Sequence, residues 1–426
     1  TIDLSKNPED AEQVLEVVAE TADESDRLKV VIIGNGIAGI SCAEALRNKD
    51  PECKIDLIGN EVFYSYNRIA LERLIHGRTA MDGLFLFEDA WYKQKKLSVW
   101  LNTLVTRVNH ADKQVELGAG EVIPYDKLVL ATGATAFNPP IPGNELPGCF
   151  VLRSAKDALD LRGWIQNHDC QRAVVLGGGV LGVEAADAIR MAGVRVTLIE
   201  RGPHLMANLL DAKAGRLLSG YLEGLGIDTL VESGVEAIGG TDCISQVTLK
   251  DGSTLNTQLL VVCAGIRPNT GLAEELGLEI NRGVVVNEAM ETSDKDIFAV
   301  GDVAELPGAL GGLWSVANEH GKVAAASIVG EPVKYRADAP PPVQLKVPGI
   351  SLCSFSRIKA EEGEEQLTYE NEQLHQWMSM VVKDNRVVGG VFVNLPTEAK
   401  TALNLAWNNL DAEDFILEVT NKSKVS

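Results

Sequence analysis

Two glycine-rich hexapeptides set the chemistry open to this sequence: Gly34-Asn35-Gly36-Ile37-Ala38-Gly39 and Gly177-Gly178-Gly179-Val180-Leu181-Gly182. Each follows an apolar run, Lys29 to Ile33 and Ala173 to Leu176, and each opens into a helical pattern. In such a strand–turn–helix the first glycine permits the tight bend and the second lets backbone N–H groups approach a pyrophosphate. The third allows close helix–strand packing, and the helix N-terminus adds its positive dipole end. Candidate contacts are Gly34, Gly36, Ile37, Ala38 and Gly39 for one dinucleotide. For the other they are Gly177, Gly179, Val180, Leu181 and Gly182, with Glu184 further along the helix. Two such turns imply two dinucleotides, and the natural pair is a bound flavin, FAD, with an exchangeable nicotinamide, NADH or NAD+.

Carboxylates refine the pairing. The strand Arg195-Val196-Thr197-Leu198-Ile199 ends at Glu200, eighteen residues past Gly182. A carboxylate there accepts from the adenosine ribose 2′-OH and repels a 2′-phosphate, which favours NADH over NADPH; Arg201 beside it softens the preference. After the first turn, Lys54-Ile55-Asp56-Leu57-Ile58 ends in Gly59, where the ribose acid usually stands, and Glu61 becomes the candidate contact.

Seven cysteines (Cys42, Cys53, Cys149, Cys170, Cys243, Cys263, Cys353) are scattered without any CxxC spacing. That pattern fits reduced thiols and supplies neither a disulfide framework nor a metal or iron–sulfur site. A net charge of −21 argues against nucleic acid and anionic membrane surfaces as partners. No apolar run approaches the ~20 residues that span a bilayer, so no membrane insertion is expected and a cytoplasmic location is.

The elements that hold these residues read as α/β: two Rossmann-like dinucleotide-binding domains and a small α+β C-terminal domain. Residues 1–26 form an acidic extension with nine acids against Lys6 alone. Pro8 to Glu20 has a helical apolar face there, a candidate docking element for a partner subunit. Flavin-domain material spans 27–148 and 271–336, with a nicotinamide domain, 149–270, inserted between. The insert alternates strand (Ala173–Leu176), helix (Val180–Met191), strand (Val194–Glu200) and helix (Leu209–Leu225), as parallel βαβ units do. Ala339-Pro340-Pro341-Pro342 is a stiff linker to the C-terminal domain, 340–426, with period-two stretches such as Arg386–Val393 and a helix near Thr397–Asn409.

Further motifs carry a family resemblance. Ile297-Phe298-Ala299-Val300-Gly301-Asp302 is an apolar strand ending in Gly-Asp. It resembles the flavin-ribityl motif of the two-dinucleotide-domain flavoprotein reductases, which include glutathione reductase and rubredoxin reductase. The resemblance implies that Gly301 and Asp302 meet the ribityl chain of FAD. Leu128 to Ala134, with Thr132 and Gly133, is similar to that family's strand–ATG turn, and Val261 to Asn269, with Gly265 and Ile266, to its second crossover. These landmarks fall in the family's order over roughly residues 29 to 335.

Within the superfamily the chain is most similar to rubredoxin reductases and the nitrite-reductase flavin module. The stretch after Gly59, where disulfide reductases and NADH oxidases carry their cysteines, has none. Tyr66-Asn67-Arg68 through Arg73 instead resembles a Tyr-x-Arg-Pro-x-Leu-Ser-Lys stretch, with Ile69, Glu72 and Arg73 departing from it. The resemblance implies a cofactor contact at Arg68 and a cation at Arg73 that stabilises reduced flavin or pairs with a carboxylate. Arginine holds its charge too firmly to carry over a lysine's proton relay. Gly311 to Lys322 resembles the family helix aimed at the flavin pyrimidine, with Trp314 walling the ring and Glu319 near it. The implied activity moves a hydride between NADH/NAD+ and FAD, in either direction. Single electrons then pass between FAD and an iron–sulfur carrier, or a metalloenzyme subunit of a larger complex. An NADH-responsive binding or signalling flavoprotein, and an NADH:quinone or oxygen reductase, remain open alternatives.

Overall fold

The computed structural model describes residues 27–307, 311–331, 333–336 and 341–425. The expected docking helix within 1–26 and the first two residues of the proline linker lie outside them. Twelve elements frame the two turns. In chain order they are β1 (Lys29–Ile33), α1 (Ile37–Lys49), β2 (Lys54–Ile58), α2 (Glu72–Ile75), β3 (Lys127–Leu130), α3 (Ala155–Asn167), β4 (Arg172–Leu176), α4 (Val180–Met191), β5 (Arg195–Ile199), β6 (Leu259–Val262), β7 (Ile297–Ala299) and α5 (Trp314–Ile328).

The chain divides into two compact units. Among the described residues, one comprises those of 27–66, Leu86–Gly133 and 268–335; the other comprises Asn67–Phe85, Ala134–Arg267 and those of 336–425.

The first unit is built on a five-stranded parallel sheet in the order β7-β3-β1-β2-(Ser98–Trp100). Its β1 interior, Val30 to Ile33, is wholly buried, as a central parallel strand covered on both faces requires. Helix α1 buries a face of small residues and ends with Arg47 and Lys49, cations that suit its negative C-terminal end. Helix α5 lies close against α1: a Cβ at Gly321 would stand 2.3 Å from the Ala38 carbonyl oxygen. Ser41 Oγ donates across the same interface to Asn318 Oδ1 at 2.7 Å.

The second unit repeats the plan, with a parallel sheet ordered (Ile227–Leu230)-β5-β4-β6-(Cys149–Val151). Helix α4 is buried continuously from Gly182 to Ile189, Glu184 and Asp187 included. The expected helix over Leu209–Leu225 begins only at Ala212, because Asp211 caps it by accepting the Ala214 N–H at 2.9 Å. The C-terminal part is a five-stranded antiparallel sheet covered by Pro396–Trp407 and Glu413–Val425. It is tied to the dinucleotide part of its unit by Trp377 Nε1 donating to Asp211 Oδ2 at 2.8 Å and Ser354 Oγ donating to the Leu209 carbonyl at 2.5 Å. Two Rossmann-like sheets and an α+β module are thus the architecture.

Candidate functional site

Both glycine-rich turns take the same shape for the same steric reasons. Gly34 has φ +124°, and a Cβ there would stand 1.9 Å from the Ala131 carbonyl oxygen; Gly177 has φ +114°, with the Cys263 carbonyl oxygen at 2.4 Å. The third glycines, Gly39 and Gly182, sit against the carbonyl oxygens of Gly34 and Gly177. At the middle positions, Gly36 and Gly179, a Cβ would meet nothing within 4 Å. These residues are the N-caps of α1 and α4, neither helix has a side-chain cap, and neither has an acid in its first turn. The first N–H groups of both helices are therefore left to a ligand, and a pyrophosphate is the anion that suits them. Ile37 and Ala38 open α1, and Val180 and Leu181 open α4.

Around the first turn, β7 delivers Gly301 and Asp302. Gly301 has φ +75°, and a Cβ on it would stand 2.8 Å from that of Ala38, so Asp302 is held beside the start of α1. The Thr132–Gly133 turn is pinned by Asn269: Thr132 Oγ1 donates to the Asn269 carbonyl at 2.9 Å, and the Asn269 side-chain amide returns to the Thr132 carbonyl at 2.8 Å. Gly59 cannot carry the ribose acid, since a Cβ would lie 2.8 Å from Asn35 Cβ. Glu61, two residues on, is half-buried and accepts the Tyr66 hydroxyl at 2.7 Å.

Helix α5 presents three buried polar atoms that have no hydrogen-bond partner among the described residues, Trp314 Nε1 and both ring nitrogens of His320. His320 is 3% exposed, lies edge-on to Tyr335 at 4.7 Å, and is pushed down to about 4 by burial against the opposing charge of Asp302. The imidazole is thus neutral at physiological pH. Orphaned buried polar atoms on the helix packed against the first turn fit a polar cofactor such as FAD. Glu319, expected near the ring, is exposed and lies 3.4 Å from Lys322.

In the second unit Glu200 closes over its own turn. Its carboxylate accepts the Gly178 N–H at 2.6 Å and the Gly202 N–H at 2.5 Å. Each oxygen keeps a lone pair for a ribose hydroxyl. Arg201 beside it is exposed. Gly265 has φ +108° and its carbonyl accepts the Phe137 N–H, while Ile266 is exposed. Arg68 belongs to this unit and donates to the Arg153 carbonyl at 2.7 Å. Arg73 is half-exposed and pairs with Glu72 at 3.7 Å. Sequence reasoning missed Lys346, whose backbone N–H reaches Glu184 Oε1 at 3.1 Å from 162 positions away. No local pattern signals such a contact.

Four of the seven thiols, Cys42, Cys53, Cys170 and Cys353, are buried, Cys149 and Cys263 are partly so, and Cys243 is exposed. Burial raises Cys42 well above its ordinary range, and Cys53 and Cys263 to about 11 and about 12. They remain protonated and poorly nucleophilic. Among the described residues no cluster of His, Cys, Asp or Glu could hold a metal, and no helix is long and apolar enough to cross a membrane.

Comparison with known proteins agrees with this geometry. The family model described as pyridine nucleotide-disulphide oxidoreductase matches residues 28–321, and that described as rubredoxin NAD+ reductase C-terminal domain matches 341–404. The chain belongs to the pyridine nucleotide-disulphide oxidoreductase family. It is accordingly an oxidoreductase whose cofactors are FAD and NADH/NAD+. It is 34% identical over 388 residues to a nitrite reductase [NAD(P)H] of Bacillus subtilis (strain 168), covering 91% of this chain and 48% of that protein. It is 30% identical to the NADH-rubredoxin oxidoreductase of Clostridium acetobutylicum, covering 91% and 98%. The covalent putidaredoxin reductase–putidaredoxin complex superposes with a TM-score of 0.82 at 26% identity over 93% of this chain and 99% of that one. The chain thus spans about half the length of the nitrite reductase and nearly all of the rubredoxin oxidoreductase.

Proposed function

We propose that this chain exchanges electrons between NADH and an iron–sulfur partner, a small carrier or a metalloenzyme subunit, by way of FAD. The observation that carries this is the pairing of two dinucleotide turns with a stretch after the first, from Asn60 to Arg73, that holds no cysteine. Two-electron chemistry enters through the nicotinamide turn, and no cysteine follows the flavin turn where disulfide reductases carry theirs to pass it on. Bound FAD supplies the conversion between a hydride and single electrons.

Each residue has a defined task under this proposal. The N–H groups opening α1 and Asp302 hold the flavin, with Gly34, Gly36 and Gly39 giving the backbone its close approach. The N–H groups opening α4 and Glu200 hold NADH. Trp314 and the neutral His320 give the flavin uncharged neighbours, and Arg68 and Glu61 are further cofactor contacts. Relatives named for rubredoxin, putidaredoxin and nitrite support an iron–sulfur partner. Small iron–sulfur carriers are commonly acidic, and a chain of net charge −21 repels them at long range. That favours a partner held by short-range packing, as a subunit is.

Anaerobic titration with NADH, followed by a rubredoxin or ferredoxin, tests the proposal. Rapid flavin bleaching and then reoxidation by the iron–sulfur protein is the expected result. Bleaching followed by slow reoxidation with every iron–sulfur acceptor, and fast reoxidation by quinone or oxygen, would overturn it.

A further inference from the structure

The segment 201–211 joins β5 to the helix Ala212–Gly224 and closes over the second glycine turn. A Cβ at Gly178 would stand 2.6 Å from Leu205 Cδ2 and 2.8 Å from Glu200 Cβ. The two turns thus divide their space in opposite ways: Asn35 faces Gly59 in the first, and Gly178 faces Glu200 in the second. Gly178 is gripped twice by this stretch of chain. Its N–H donates to Glu200 Oε2 at 2.6 Å, and its carbonyl accepts the Met206 N–H at 2.8 Å. Met206 is 3% exposed and has φ +53°, a left-handed conformation that a residue other than glycine keeps only where its surroundings fix it. Its own carbonyl accepts the N–H groups of Leu209 and Leu210 at 2.8 and 2.9 Å.

The far end of the segment is fixed by the C-terminal sheet. Its strands Leu352–Ser356 and Gln376–Lys383 flank the strand Arg386–Val393. Ser354 stands opposite Val391 and Trp377 opposite Val393, so the two side chains share one face. The other face, with Cys353, Phe355, Met378, Met380 and Phe392, packs in one core with Ala399, Ala402 and Val419 of the covering helices. From the first face, Ser354 Oγ donates to the Leu209 carbonyl and Trp377 Nε1 to Asp211 Oδ2 at 2.8 Å. Asp211 Oδ1 is used by the Ala214 N–H, so the residue that starts the helix is also the one the indole holds. The helix is tied to the same module again, by Lys213 pairing with Glu370 and by the Tyr221 hydroxyl donating to the Pro348 carbonyl.

We propose that Ser354 and Trp377 are positioning residues for coenzyme choice. By holding Leu209 and Asp211 they keep Met206 on Gly178, and so fix the peptides that aim the Glu200 carboxylate. This rests on the reading of the second turn as the NADH site with Glu200 turned toward the ribose. The carboxylate is held by the N–H groups of Gly178 and Gly202, one in the turn and one in the segment, and its remaining lone pairs point only as steadily as those two peptides do. With the segment anchored, a ribose 2′-hydroxyl meets an acceptor in a defined place and a 2′-phosphate meets a charge that cannot swing aside. With the segment loose, the first contact weakens and the second repulsion relaxes. Discrimination between the two coenzymes is thereby set in part from the C-terminal sheet.

The test is the coenzyme concentration that half-saturates flavin reduction, with the limiting rate, measured by anaerobic stopped flow on the FAD-loaded chain with NADH and with NADPH. The parent, Ser354→Ala, Trp377→Phe, Asp211→Asn and Glu200→Ala are compared. Asparagine keeps the helix cap but turns an N–H donor toward the indole N–H, so it breaks the tie to Trp377 alone. Each of the first three variants should raise half-saturating NADH by about three- to tenfold, the factor that one hydrogen bond carries. Limiting rate and flavin content should stay at the parental level, and half-saturating NADPH should not rise. Equal weakening for both coenzymes, or a fall in limiting rate or flavin content, overturns the proposal, because a merely structural tie behaves that way. Half-saturation by NADH that is unchanged in all three while Glu200→Ala raises it overturns the proposal and spares the reading of the second turn. If Glu200→Ala leaves NADH unaffected as well, that reading falls too.

Discussion

Replacing Gly177 by alanine separates the two dinucleotides in one experiment. The added Cβ would stand 2.4 Å from the Cys263 carbonyl oxygen, closer than the 3.0 Å that real contacts respect, so backbone must give way. The residue also sits at φ +114°, a conformation that L side chains rarely adopt. Overpacking costs about 1–3 kcal/mol and a strained backbone conformation about as much again. Part of this relaxes, leaving roughly 2–4 kcal/mol on the turn proposed to hold the pyrophosphate of NADH. That is a loss of roughly 30- to 1000-fold in NADH affinity. The assay is anaerobic stopped-flow bleaching of the flavin against NADH concentration, with flavin content measured on the same preparation. Flavin content should be unchanged, because the first turn belongs to the other compact unit. The mirror change, Gly34→Ala, places a Cβ 1.9 Å from the Ala131 carbonyl oxygen and should cost flavin instead. If Gly177→Ala sheds flavin and Gly34→Ala keeps it, the two assignments are reversed. If Gly177→Ala reduces its flavin at parental NADH concentrations, the steric reasoning is wrong.

Glu200→Ala removes the carboxylate that receives two glycine N–H groups, and the ratio of kcat/KM for NADH over NADPH should fall by about tenfold or more; an unchanged ratio would show that Glu200 does not read the ribose. Asp302→Ala should lower the flavin content of purified protein and leave it restorable by added FAD, whereas full retention of flavin after dialysis would remove Asp302 from the cofactor site. Glu184→Gln should alter stability in a pH-dependent way. The acid's proton affinity is raised on folding, from 4.5 to about 7, so the native state binds the proton more tightly than the unfolded chain and the parent loses stability as pH rises across that interval. The glutamine variant should therefore gain on the parent by up to about 3 kcal/mol above neutrality and by little near pH 4; denaturant melts at both pH values decide it, and an equal difference at both would refute it.

Much of the frame was legible because it is local. Lys29–Ile33, Lys54–Ile58, Val180–Met191 and Arg386–Val393 fall where apolar runs and helical spacing put them. Each is bounded by glycine, charge or turn residues within a few positions, and its burial follows from its own composition. The turns were legible for the same reason, since their glycines are demanded by backbone contacts a few residues away or across one strand. What was not legible depends on partners far along the chain. The Cβ clash that excludes an acid at Gly59 comes from Asn35, and the clamp on Thr132 comes from Asn269. Arg73 stands at a motif lysine's position and pairs with its own neighbour Glu72. The cation acting on Glu184 is Lys346, supplied by a loop of the C-terminal sheet. Long-range pairing of this kind leaves no period in a sequence.

The division of the chain also has a consequence for how the protein comes into being. Its backbone passes from one compact unit to the other five times, at 66/67, 85/86, 133/134, 267/268 and 335/336. The sheet holding the first glycine turn is bordered by β7 and backed by α5, both encoded more than two hundred residues after β1. At translation rates of roughly 5–20 residues per second, β1 waits on the order of tens of seconds for these neighbours. The inserted sheet can close first, so the nascent chain is able to complete its second glycine turn while its first is still half-built. Under the proposed assignment of the first turn, flavin capture is a late event in biogenesis, and the apolar face of β1 is what a chaperone would have to shield until then.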